Sequence, residues 1–259
     1  MHSTNRYAWF LGSILLVTSA TQASPLLWQD NSLSYLYGDN YAVNPPIQQT
    51  LTLEHTSGWS IGDLYGFVDQ VFYNGSSDPT NGNSSYYGEI APRLSFAKLF
   101  NQPLSFAGIN DVLLASTYEF GENPSGTNAF LLGIGLDLNI PGFEFFHVNI
   151  YHRDPSDGRD GQGVWQITPV WGYDIPIGNS FLRIDGYIDA VVDNDKSYHA
   201  NLHINPQIKY DVGQSLGYSA KKFYFGIEYD YWESKYGIKS SDYFDTNQNT
   251  FSALVQLHW

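Results

Sequence analysis

The sequence predicts an all-β chain, a closed antiparallel transmembrane β-barrel of about 12 strands. Three observations predict this fold class. Apolar and polar residues alternate with period two over most of the chain, as they do in strands with one apolar face. The one extended apolar run, Ala8 to Ala20, is too short for a bilayer-spanning helix, so an integral protein of this sequence must cross with strands. The last residue, Trp259, is an aromatic that closes the apolar face of its strand.

Composition agrees and narrows the function classes. Of 259 residues, 42% are hydrophobic, which excludes a disordered chain. Aromatic residues make up 17%, with 20 tyrosines against a single methionine; these rings favour strands and membrane–water interfaces. Cysteine is absent, which excludes thiol catalysis and Cys-ligated metal. The net charge of −14 argues against a nucleic-acid partner. A pore of that sign would disfavour anions and accept cations or neutral solutes.

The amino-terminal segment reads as a signal peptide. Arg6 precedes the apolar run, and Thr21 and Ala23 are small residues at cleavage positions. Residues 1–23 are therefore expected to be removed, leaving a barrel of residues 24–259. Export of this kind implies outer-membrane lipid and lipopolysaccharide as surroundings.

The strands follow in order at 30–37, 48–56, 59–73, 86–97, 111–120, 128–138, 144–153, 163–174, 181–190, 200–211, 222–233 and 249–259. In the second, Glu54 falls on the inward face. In the third, Asp63, Tyr65, Phe67 and Asp69 oppose Leu64, Gly66 and Val68. In the fourth, Glu89 and Arg93 share a face. The sixth opposes Phe130, Leu132, Ile134 and Leu136 to Leu131, Gly133, Gly135 and Asp137. The eighth sets Trp165, Ile167 and Trp171 against Gln166, Thr168 and Gly172. The ninth sets Leu182, Ile184 and Ile188 against Arg183, Asp185, Tyr187 and Asp189. The tenth opposes Leu202, Ile204 and Ile208 to His203, Asn205, Gln207 and Lys209. The eleventh opposes Phe223, Phe225, Ile227 and Tyr229 to Tyr224, Gly226, Glu228, Asp230 and Trp232. The last opposes Phe251, Ala253, Val255, Leu257 and Trp259 to Ser252, Leu254, Gln256 and His258.

Connections supply an independent test, because barrels alternate long outer loops with short periplasmic turns. Gly38–Ile47, Asn74–Ser85, Arg153–Gly161 and Ser234–Gln248 are long. Ser57-Gly58, Asn139–Phe143 and Ile175–Ser180 are short. Lys98–Asn110 is long for a turn, and Gly121–Thr127 is short for a loop.

Several segments resemble a known family. Thr50–Glu54, Trp59, Asp63–Asp69, Asn74-Gly75 and Tyr87–Ser95 resemble the Tsx nucleoside-channel family, as do Gly133–Asp137 and Val148–Tyr151. The opening Trp28–Gly38 looks closer to the OmpK-like branch, known as vibriophage receptors. The resemblance implies a monomeric 12-stranded barrel with a narrow pore for nucleosides, and bacteriophage as a further partner. Trp259 stands where the family commonly ends in Phe.

Charges facing lipid would cost ~2–4 kcal/mol near the midplane, so the charged positions belong in the lumen. A nucleoside is a neutral sugar carrying a flat base. Selecting it needs ring faces for stacking and polar groups for hydroxyls and base edges. Tyr65, Phe67, Tyr187, Tyr224 and Trp232 supply rings. Glu54, Asp63, Asp69, Glu89, Arg93, Arg183, Asp185, Lys209 and Glu228 supply polar groups. The alternative role for these charges is a ladder that fills and stiffens the barrel. Arg93 is expected to pair with Asp63, Asp69 or Glu89.

No cofactor or metal is expected. His199 and His203 are too far apart on a strand to share an ion. The loop Asp154–Gly161 has carboxylates and glycines but lacks the closing bidentate Glu of a calcium loop. No G-x-S-x-G occurs. The function classes in play are a passive channel for nucleosides or similar small solutes, a surface receptor barrel with general porin activity, and a barrel enzyme; no catalytic set is distinguishable.

Overall fold

The computed structural model describes residues 25–79, 82–122, 128–156, 158 and 160–259. The expected signal peptide lies outside the described residues. Twelve strands form one closed antiparallel barrel in which each hydrogen-bonds its sequence neighbours and the first pairs with the last. They are β1 (Leu26–Gly38), β2 (Ile47–Trp59), β3 (Gly62–Asn74), β4 (Ser84–Ser95), β5 (Ile109–Gly121), β6 (Ala129–Leu138), β7 (Phe143–Pro155), β8 (Val164–Ile177), β9 (Ser180–Val191), β10 (Asn201–Asp211), β11 (Phe223–Glu233) and β12 (Gln248–His258). Closure leaves no strand edge with unpaired backbone groups, the condition for a sheet in hydrocarbon.

The barrel is apolar outside and polar within. On β12, Phe251 and Leu257 face out, while Ser252, Gln256 and Leu254 are buried inside. On β6, Phe130, Leu132 and Ile134 are exposed and Leu131 is buried. Every strand face expected from the alternation on these two strands is the one observed. Among the described residues no helix is long and apolar enough to cross a membrane, and the lipid-facing surface is made by strands.

The start of β1 and the end of β12 lie at one rim, the terminal rim. The three register shifts, at Leu26/Trp28, Ile109/Asp111 and Phe143/Phe145, sit where strands start from that rim, a usual place for bulges.

Two connections there differ from expectation. The tight turn after β2 is Ser60-Ile61, because pairing continues through Gly58↔Asp63 and Trp59↔Gly62. Gly58 lies in the strand, where a Cβ would stand 2.1 Å from Trp28 Nε1; the missing side chain makes room for the Trp28 indole. The long β4–β5 connection contains helix α1 (Phe96–Phe100). Ser95 Oγ accepts from Lys98 N at 3.0 Å and donates to Asp111. Lys98 Nζ donates to the carbonyls of Trp59 and Gly62 at 3.0 and 3.2 Å, so α1 ties two turns together. A second short helix, α2 (Val212–Ser215), follows β10. Its cap is Asp211, fully buried, which accepts from Gln214 N and Lys221 N.

Candidate functional site

Inward side chains divide the lumen into two zones. Toward the terminal rim it is filled by ion pairs. Arg93 is buried and forms a two-pronged bridge to Asp63, Nε to Oδ1 at 2.8 Å and Nη2 to Oδ2 at 2.7 Å. Its third arm reaches Asp137 at 2.9 Å. Arg183 pairs with Glu144, with Asp174 at 3.0 Å and with Asp185 at 3.0 Å. Lys209 joins them, 3.2 Å from Asp185 and donating to Gln256 at 2.7 Å. The Tyr224 ring is buried beside it, 5.7 Å from Lys209 Nζ. Alternating charges at these distances satisfy one another and occupy the interior.

Toward the opposite rim the lumen opens into a cavity of about 280 Å³, near the lower bound of ~300 Å³ for small-molecule sites. One wall comes from β2, β3 and β4. Cross-strand register sets Phe67 between Glu54 and Glu89. Tyr65 and Phe67 lie 5.9 Å apart, Phe67 and Tyr87 5.8 Å. Tyr65 donates to Glu54 at 3.0 Å and Tyr87 to Glu89 at 2.7 Å. Asp69 accepts from Thr52 at 2.5 Å. Each phenol is thus pinned at its edge by its neighbour.

The other wall comes from β9, β10 and β11, half-way around the barrel. Tyr187 stands edge-on to His203 at 5.3 Å, His203 lies flat on Trp232 at 4.1 Å, and Trp232 meets Tyr236 at 4.9 Å. His203 Nε2 contacts Asp230 at 3.1 Å, and Gln207 donates to Glu228 at 2.9 Å. Asp189 accepts from Thr168 at 2.6 Å and Gln166 at 3.0 Å. Between the walls Arg153 pairs with Glu119.

Among the described residues seven carboxylates line the cavity: Glu54, Asp69, Glu89, Glu119, Glu122, Asp189 and Glu228. Arg153 and Lys235 are its lining Lys and Arg side chains. Among the described residues no three His, Asp or Glu side chains converge to hold a metal.

At the mouth, the loop after β11 folds inward through a single 3-10 turn, Lys235–Gly237. Lys235 is buried, with Nζ 5.1 to 5.9 Å from the ring centres of Tyr236, Trp232 and Tyr41. Burial lowers its pKa to about 8, against the attraction of Asp230. Burial also raises the Tyr41 and Tyr236 hydroxyls.

The expected site residues therefore separate. Glu54, Tyr65, Phe67, Asp69, Glu89, Tyr187 and Glu228 line the cavity. Asp63, Arg93, Arg183, Asp185 and Lys209 belong to the ion-pair zone, as does Tyr224. Of three partners expected for Arg93, Asp63 is the one it meets; Asp69 and Glu89 are held by Thr52 and Tyr87. Tyr87, Glu119, Arg153, Asp189 and His203 also line the cavity without having been singled out. Their signal was present, since each falls on an inward face. Lys235 and Tyr236 had none, because a loop has no period.

The family model described as "Nucleoside-specific channel-forming protein, Tsx" matches residues 27–258. The outer membrane protein OmpK of Vibrio parahaemolyticus serotype O3:K6 (strain RIMD 2210633) is 27% identical over 202 residues, covering 74% of this chain and 73% of its own. A second Vibrio parahaemolyticus OmpK is 30% identical over 144 residues, 54% of this chain and 53% of its own. Among solved structures, a KdgM porin aligns with a TM-score of 0.49 and 10% identity, over 87% of this chain and 98% of that one.

Proposed function

The chain belongs to the Tsx family of nucleoside-specific channel-forming proteins, and on that premise we propose that it passes nucleosides or similar small neutral solutes by passive diffusion. With OmpK relatives and a closed barrel, it is an outer-membrane channel. The terminal rim then faces the periplasm and the loop rim faces outside.

The observation that carries the nucleoside reading is the pair of ring ladders on opposite walls of one cavity. Tyr65, Phe67 and Tyr87 stand on one side; Tyr187, His203 and Trp232 stand on the other. A flat base can stack on either ladder, while carboxylates and amides meet ribose hydroxyls and base edges. Stacking is worth ~1–3 kcal/mol per base. Stacking and polar contacts together need to reach only about 4 kcal/mol for half-saturation near ~1 mM, weak enough for release. Liposome swelling compares the solutes directly. The proposal expects nucleosides to enter faster than sugars of similar size, and equal rates count against it.

A second reading is a surface receptor for bacteriophage. Tyr243 stands 98% exposed on the loop after β11, beside the exposed Phe244, an aromatic tip a partner can grip. Tyr243→Ser with Phe244→Ser should abolish adsorption and leave conductance intact; unchanged adsorption removes this reading.

A further inference from the structure

Lys235 differs from the other cations of the lumen. Arg93, Arg153, Arg183 and Lys209 each lie within ion-pair distance of a carboxylate. The Lys235 ammonium instead donates to the amide oxygen of Gln248 at 2.6 Å and lies among the rings of Tyr41, Trp232 and Tyr236. The same Gln248 oxygen accepts from Ala42 N at 3.1 Å. Ring faces and an amide hold a cation without cancelling its charge, so the field of the ammonium reaches the cavity it lines.

The loop backbone is committed to this placement. Ser234 and Tyr236 have φ of +52° and +60°, and Gly237 has +71°. Left-handed backbone at non-glycine residues is strained and persists only where surroundings enforce it. They do so here. Lys235 N donates to Thr246 O at 3.1 Å, and Gly237 O accepts from His199 N at 2.8 Å. The Tyr236 hydroxyl donates to Asn44 at 2.8 Å, linking this loop to the one after β1. A Cβ on Gly237 would stand 2.5 Å from the Tyr198 ring, so the glycine lets that ring close over the turn.

We propose that Lys235 is the charge filter of the outer mouth, a fixed cation that repels cationic solutes from an acidic lumen while neutral flat solutes pass beside it. The inference rests on the channel reading alone and not on which solute is carried. An unguarded acidic cavity would concentrate small cations, which would compete with a neutral solute for its polar groups. One ammonium at the entrance opposes that accumulation.

The test is the reversal potential of the full barrel in planar bilayers under a KCl gradient, with no nucleoside present. Lys235→Gln should raise the cation-to-anion permeability ratio by about sevenfold for each kT of potential the ammonium supplies, because cation and anion respond by the same Boltzmann factor in opposite directions. Lys235→Arg should leave the ratio unchanged. An unaltered ratio in Lys235→Gln overturns the proposal, as does an equal shift in Lys235→Arg, which would mean that shape and not charge matters. Should Lys235→Gln fail to assemble, Lys235→Met, an unbranched neutral side chain among the same rings, serves in its place: the same rise in cation preference is expected, and an unaltered ratio overturns the proposal.

Discussion

The imidazole of His203 lies flat on the indole of Trp232, their centres 4.1 Å apart and their planes 6° from parallel. The two belong to neighbouring strands and are directly opposite in the register. The stack occupies one Trp232 face, and Asn201 fixes the indole nitrogen at 3.3 Å. The ladder is therefore built before any solute arrives, and a stacking solute does not have to order it.

Trp232→Leu should weaken nucleoside block of the channel. Losing one stacking surface is worth ~1–3 kcal/mol, or roughly 5- to 150-fold in half-blocking concentration. Single-channel recording with added nucleoside measures it, and an unchanged half-blocking concentration contradicts the assignment of this wall.

Arg93→Met should act on stability and not on solute. It leaves Asp63 and Asp137 without their shared partner, at a cost of about 3 kcal/mol, the lower end for buried pairs because both carboxylates are a quarter exposed. Urea unfolding in lipid vesicles reads the loss. Adding Asp137→Asn should restore part of it, and nucleoside block should match wild type throughout.

The fold was almost wholly legible because lipid and lumen impose opposite demands on alternate residues, as on β6 and β12. Gly58 misled because a glycine under Trp28 looks like a turn residue. The ion-pair zone was harder. Period two says that Asp63 and Glu89 both face inward, but not that Arg93 also reaches Asp137 across the next two strands. Depth along the barrel axis depends on register and tilt, and that divided Arg183 and Lys209 from the cavity. Lys235 was invisible because long-range contacts with Tyr41 and Gln248 place it.

The lipid face offers a control on the membrane geometry. Leu132→Arg, midway along β6, should destabilise by ~2–4 kcal/mol. Leu257→Arg, beside the terminal rim, should cost less than about 1 kcal/mol. Equal costs in a lipid unfolding assay would contradict the placement of the hydrocarbon layer.

The inward loop should hold more firmly as pH rises. Burial disfavours the charged form of Lys235, whose pKa falls to about 8 from the ordinary lysine value of 10.5. Below about pH 8 the lysine is charged whether the loop is in or out, and the full cost of burial applies. Above it the buried amine sheds its proton while an exposed one keeps it, so inward placement gains stability until about 10.5. Trypsin can cut after buried Lys235 only when the loop opens, whereas Lys239 is already exposed. The ratio of cutting at Lys235 to Lys239 should fall as pH rises through about 8; a constant ratio would contradict this.

The central claim is that a nucleoside occupies the cavity between the two ring ladders on its way through. Single-channel current through the wild-type barrel, recorded while a nucleoside is titrated, tests it most directly. Saturable interruption of the current is expected, with half-block near ~1 mM and no such block by ribose alone. Uninterrupted current through the millimolar range, or equal block by ribose, would contradict it.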